Sequence, residues 1–299
     1  MISDRIISKS DGLALALAIS VPNGKPRAIV QFSHGMTEHK ERYFAFMRFL
    51  SSHGFLCIIH DHRGHGESVS EKNDLGYFYT ENPQYIVDDL YQVTQYAKAR
   101  YGNLPVYIFS HSMGTLVVRN YLKTYDTAVE KVVLCGPPVK NSQAGLGVAI
   151  AKTMKLFGGG KRRSKLINKI AEGRYSKEHD IANGWINSDR SEVEKYNQDE
   201  LCGYIFTVNG YVNLLKLLRN AYRRRGWHVR NKKLAIYIVA GREDPVIESE
   251  EKIEHLVHFL HSVGYKNIFV RLYGGMRHEL LNETNKQAVY KDILDFFAK

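Results

Sequence analysis

Apolar residues along the chain follow two rhythms in turn. Short runs with a β-branched and aromatic bias cover residues 28–32, 55–60, 106–110, 131–136, 234–240 and 268–273, as buried strands do. Between them, apolar positions recur three or four residues apart. They do so over 43–53, over 83–101 through Ile86, Leu90, Val93 and Ala97, from 113 onward through Leu116, Val117 and Tyr121, and over 284–297. That spacing gives a helix one apolar face. Strand followed by helix, repeated, predicts an α/β fold: a mainly parallel, right-handed sheet with helices on both faces. Residues 13–19 alternate large and small side chains, and Pro22-Asn23-Gly24-Lys25-Pro26 follows as a turn. With 28–32 they predict an antiparallel hairpin at the sheet edge.

The rhythm is interrupted once. From 137 to 230 only helical patterns remain, over 147–157, 164–172 and 199–219, broken by Gly158-Gly159-Gly160. An inserted helical lid has this pattern, so the expected organisation is a core of 1–136 and 231–299 with a lid of 137–230. The lid also holds nearly all the excess charge. The chain carries a net +11; 137–230 has 18 Lys and Arg against 8 Asp and Glu, while the rest is nearly balanced. Such a run is either a solvated helical face or an attraction to anionic lipid head groups or a negatively charged substrate. No nucleic-acid-binding module accompanies it, so nucleic acid is not an expected partner.

At 299 residues, 44% of them hydrophobic, the chain is long enough for one large domain with an insertion. Cys57, Cys135 and Cys202 are sparse and unpaired by spacing, two of them inside strand-like runs, which suits a reducing cytoplasm. The first residues lack a basic head and apolar core, and no apolar run reaches spanning length. Secretion and membrane spanning are therefore not expected.

The candidate chemistry sits just past the strand ends. The run 106–110 leads into His111-Ser112-Met113-Gly114, where a helical pattern begins at once. A strand-to-helix corner this tight lifts the Ser112 hydroxyl above the sheet, needs small residues two positions away on either side, and aims a helix N-terminus at the serine. Gly114 meets the size requirement, and Ser110 stands where a first glycine is usual. In a parallel sheet the loops after successive strands share one edge. Met36, Ser112, Asp244 and His278 are therefore expected to converge, in the chain order serine, aspartate, histidine. Backbone N–H groups of Met36 and Met113 are the candidate oxyanion donors, with Gly35 allowing close approach. Glu243 is the alternative acid. His34 and His39 read as structural, and His111 has no acidic partner in chain order. His60, His62 and His65 lie in a Gly- and Arg-rich stretch without metal-ligand spacing, so a hydrogen-bonded loop is expected there and no metal.

Five segments carry a resemblance: His34-Gly35-Met36-Thr37-Glu38-His39 with Arg42-Tyr43, residues 61–68, His111-Ser112-Met113-Gly114, Glu243-Asp244-Pro245-Val246, and Gly275-Met276-Arg277-His278-Glu279. Together they resemble the lysophospholipase and monoacylglycerol lipase branch of the α/β-hydrolase superfamily, over nearly the whole chain and least in the lid. The resemblance implies an α/β-hydrolase fold with a mostly parallel eight-stranded sheet. It also implies a serine carboxylic-ester hydrolase acting on monoacyl lipids through an acyl-enzyme, with Ser112 as nucleophile, Asp244 as acid, His278 as base, and the amides of Met36 and Met113 as oxyanion donors. No metal or organic cofactor is needed. The same residues suit an aryl or cinnamoyl esterase, an aminopeptidase or a perhydrolase, and the fold also serves non-catalytic ligand-binding proteins. The apolar, lysine-bearing stretch 144–157 reads either as a lid helix packed on the sheet domain or as an element that lines an acyl channel or touches an anionic membrane surface.

Overall fold

The computed structural model describes residues 1–140, 159–165, 167, 168, 175 and 179–299. Eight strands form one sheet: β1 (Ile2–Ile7), β2 (Ala14–Ser20), β3 (Ala28–Ser33), β4 (Phe55–His60), β5 (Val106–His111), β6 (Lys131–Cys135), β7 (Ala235–Gly241) and β8 (Asn267–Tyr273). Their order is β1-β2-β4-β3-β5-β6-β7-β8. From β4 to β8 every pairing is parallel, while β2 runs antiparallel to both β1 and β4.

Helices cover both faces. Successive strand residues point to opposite sides, and both sides are apolar because both are buried. Val132, Leu134, Ile236 and Ile238 pack with α2 (Gln84–Tyr101), α3 (Met113–Tyr125) and α6 (Glu250–Val263). Val133, Cys135, Tyr237 and Val239 face α1 (Phe44–Ser52) and α7 (Lys286–Ala298) on the other side. Between β6 and β7, two longer helices are described, α4 (Arg190–Gln198) and α5 (Val208–Ala221). Helix α5 packs on α3 and shares its core through Val208, Tyr211, Val212 and Leu217. Val193 and Tyr196 of α4 instead form a small cluster with Ile186 and Cys202.

Two expectations are corrected. Residues 13–19 and 28–32 do not form a hairpin. β2 pairs with β1 and β4, while β3 lies between β4 and β5. All six residues of β3 are buried, as suits a central strand and not an edge. The helix expected over 199–219 starts only at Val208. Asp199 instead accepts the N–H of Leu201 in a turn at 2.8 Å, and Thr207 caps α5 by accepting the N–H of Gly210 at 3.1 Å. The helix expected over 147–157 and most of that over 164–172 lie outside the described residues, as does the acyl-channel stretch 144–157.

Candidate active site

The carboxyl ends of β3, β5, β7 and β8 bring the site together. At the end of β5 the chain turns sharply into α3, and Ser112 takes φ 49° and ψ −119°, a region costly for a residue with a side chain. The surroundings hold it there. Its N–H donates to the carbonyl of Cys135 at 2.9 Å, and its own carbonyl accepts from the N–H of Thr115 at 2.9 Å and the hydroxyl of Thr115 at 2.8 Å. Gly114 is required because a Cβ there would lie 2.1 Å from the Ser33 carbonyl oxygen. Ser110, where glycine is usual, fits by donating its hydroxyl to the Val133 carbonyl at 2.7 Å.

Asp244 and His278 meet behind this corner. Oδ2 of Asp244 lies 2.8 Å from Nδ1 of His278, and Oδ1 accepts the N–H of Val246 at 2.8 Å. Both side chains are buried, whereas Glu243, the alternative acid, is exposed. Gly136, after β6, makes room for the pair: a Cβ there would stand 2.9 Å from His278 Nδ1 and 3.2 Å from Asp244 Oδ2. The Ser112 hydroxyl is partly exposed. Among the described residues neither it nor Nε2 of His278 has a hydrogen-bond partner. The acid–base bond is thus formed while the serine–imidazole bond is open, a common state of an unliganded site.

The loop after β3 lies against the serine, since a Cβ on Gly35 would come within 3.2 Å of Ser112 Cβ. His34 accepts the N–H of His62 at Nε2 (2.8 Å), so its proton sits on Nδ1 and is donated to the Gly35 carbonyl at 2.8 Å. A trans peptide points its N–H opposite to its carbonyl. Fixing the Gly35 carbonyl therefore fixes the direction of the Met36 N–H. Among the described residues the N–H groups of Met36 and Met113 have no acceptor, which leaves two free donors beside Ser112, one of them at a helix N-terminus.

Other groups join the site only in the fold. His111, which has no acidic partner in chain order, meets Glu38 in the fold, its Nδ1 being 3.0 Å from Oε1. Glu38 also accepts from Gly35 N–H and Tyr43 hydroxyl, and Arg42 joins it to Glu279. Burial pushes the Glu38 carboxyl up, but His111, His34 and Arg42 outweigh it and hold the group well below the usual carboxylate range. Trp185, from the 137–230 segment, packs against the His278 ring with centroids 5.3 Å apart.

The stretch 60–68 is a hydrogen-bonded loop. Asp61 receives the backbone N–H and Nζ of Lys40 at 2.7 and 2.8 Å, and the fully buried Arg63 donates to Asp89 and Asp11 at 2.8 and 2.7 Å. Burial drives the pKa of His60 and His65 down to about 3. Among the described residues the group with metal-ligand spacing is His39, Asp199 and Cys202, their ligating atoms within 4.8 Å of one another. Its aspartate already takes His39 Nε2 at 2.9 Å and the N–H of Leu201, and the Arg42 cation lies close enough to stabilise the Asp199 carboxylate. These contacts give it the character of a latch between the β3 loop and the segment after α4.

A strained serine ahead of a helix, an aspartate–histidine pair and two free amides are the parts of a serine hydrolase. A family model described as serine aminopeptidase, S33, matches residues 24–285. The chain belongs to this family. As an S33 chain it is an α/β-hydrolase, and its similarity extends to curated proteins. Monoacylglycerol lipase of Mycolicibacterium smegmatis is 25% identical over 290 residues, covering 96% of this chain and 94% of that protein. Monoglyceride lipase of Homo sapiens is 35% identical over 195 residues, or 64% of this chain and 58% of that protein. In structure, a thermostable carboxyl esterase from Bacillus coagulans, solved with glycerol, superposes with a TM-score of 0.91 at 23% identity, over 99% of this chain and 97% of that one.

Proposed function

We propose that this S33 hydrolase cleaves the carboxylic ester of monoacyl lipids through an acyl-enzyme. The observation that carries the reading is the 2.8 Å Asp244–His278 pair set behind the Ser112 corner. The names of the M. smegmatis and human relatives support the substrate class.

In the proposed reaction Nε2 of His278 takes the Ser112 proton as Oγ attacks the ester carbonyl. Asp244 holds the ring with Nδ1 toward it and stabilises the imidazolium. The amides of Met36 and Met113 receive the oxyanion, and loss of one such donor costs about a hundred- to a thousand-fold in rate. As the tetrahedral species collapses, His278 returns the proton to the departing alcohol. Water, activated by His278, then releases the fatty acid. The scheme uses no cofactor.

The division into core (1–136 and 231–299) and lid (137–230) belongs to the same proposal. In it the lid covers the acyl chain, with Trp185 beside His278 and the Tyr196 hydroxyl donating to the Thr37 carbonyl at 2.9 Å. We also propose transient contact of the basic lid with anionic lipid, tested by co-sedimentation with phosphatidylglycerol vesicles. Binding indifferent to salt and anionic lipid content contradicts it. No described helix is long and apolar enough to cross a membrane, and three buried free thiols suit the proposed cytoplasmic setting. The test of function is a panel of monoacylglycerols, lysophospholipids, p-nitrophenyl esters and aminoacyl anilides. Monoacyl esters should be the best substrates of the native chain and inert with Ser112→Ala. Preference for the anilides would assign a peptidase instead.

A further inference from the structure

We propose that His111 is a positioning residue held as a buried imidazolium, tying the loop that carries Met36 to the loop that carries His278 and placing a fixed positive charge beside the base. The proposal rests on the reading of Ser112 as nucleophile and His278 as base.

Donors and acceptors around the ring fix its protonation. Oε1 of Glu38 already collects the Gly35 N–H and the Tyr43 hydroxyl, the latter at 2.8 Å, and Oε2 lies 3.6 Å from Nε of Arg42. A carboxyl group surrounded by donors is ionised, and an ionised carboxylate only accepts. Nδ1 of His111, 3.0 Å from Oε1, must therefore carry a proton. On the other side Nε2 of His111 faces the carbonyl oxygen of His278 at 3.2 Å. A carbonyl also only accepts, so Nε2 must be protonated as well. An imidazole with two N–H groups is a cation.

Charge balance leads to the same state. Two buried carboxylates, Glu38 and Glu279, face one half-buried guanidinium, Arg42, whose Nη2 is 2.5 Å from Glu279 Oε2. A proton on His111 supplies the missing positive charge, and unbalanced charge away from water is costly. The remaining groups that face the ring are Asp244 from the β7 loop, Cys135 from β6, Tyr43 from the β3 loop and His278 itself. Burial opposes protonation of His111, but Glu38 foremost, then Glu279 and Asp244, outweigh it and raise its pKa above the ordinary histidine value.

Two consequences follow for the reaction. Through Glu38 the imidazolium holds Gly35, whose peptide carries the Met36 N–H, and through Nε2 it holds the backbone of the base. Its ring centre is also 4.6 Å from that of His278.

The experiment combines two readouts on the full chain. Nitrogen-15 NMR of histidine-labelled native protein should show both ring nitrogens of His111 protonated at pH 7.5, whatever the enzyme hydrolyses. Steady-state kinetics with p-nitrophenyl butyrate compare the native protein with His111→Gln and Glu38→Gln. In both variants kcat should fall at least about tenfold with little change in KM. A singly protonated His111 ring in the native protein, or native kcat in both variants, overturns the proposal. If the variants do not fold, the NMR result alone decides. Hydrolysis that survives Ser112→Ala would defeat the nucleophile assignment instead, and leave the protonation state of His111 standing as measured.

Discussion

Ser112 holds a strained backbone conformation because three hydrogen bonds fix it from both sides. In the proposed reaction it gains nucleophilic power only if His278 is held in the right tautomer, the role proposed for Asp244. Asp244→Asn should therefore lower kcat by roughly 10⁴ with little change in KM, because an amide can stabilise the wrong tautomer. Steady-state ester kinetics check this. At this scale Ser112, Asp244 and His278 were legible in the sequence because each follows a strand whose apolar run ends abruptly. The parallel sheet turns that position into a shared edge. The Glu38–His111 pair and the Arg42–Glu279 pair were not. Each joins parts of the chain 73 or 237 positions apart, and a contact that remote leaves no period to read.

Elements were legible where one physical rule acted alone. The buried strands β3 to β7 and the amphipathic helices α2 and α7 fall within a few residues of their expected limits, since burial on one or both faces fixes their pattern. The expected hairpin failed because turn chemistry at 22–26 states only that the chain reverses, not which strand receives it. The six buried positions of β3 were the better guide, since an edge strand keeps a polar side. The start of α5 was missed because capping competes with periodicity. The Thr207 hydroxyl donates to the Gly76 carbonyl at 2.7 Å while accepting from Gly210. Thr207→Val keeps the shape and removes both bonds, so chemical denaturation should show a loss of about 1–2 kcal/mol. An unchanged midpoint would mean that the cap contributes nothing to holding α5 in place.

For the molecule as a whole, buried histidines dominate the acid response. His34, His60, His62 and His65 all have pKa values pushed down by burial, with the His34 ring adding to the effect at the other three, while Glu38 and Asp61 oppose it at His34. Unfolded, each takes up a proton near its ordinary value of about 6.5; folded, His60 and His65 resist until about 3. The unfolded chain therefore binds more protons through that window, and stability is full above about pH 6.5 and is lost as pH falls toward 3. Each such group gives a slope of up to about 1.4 kcal/mol per pH unit. Thermal unfolding followed from pH 7.5 to 5 should show Tm falling by several degrees, and a flat Tm would contradict the neutral, buried state assigned to this cluster. His111 has the opposite sign: its raised value adds stability that is lost only as pH rises through it.

The central claim is that Ser112, served by His278, is the nucleophile of this fold. The most direct measurement is covalent labelling with a fluorophosphonate, located by peptide mass spectrometry in the native chain and in His278→Ala. One adduct per chain, on Ser112, with labelling slowed at least about a thousand-fold in the variant, is the expected result. An adduct on another residue, or labelling of Ser112 at an equal rate without the imidazole, would contradict it.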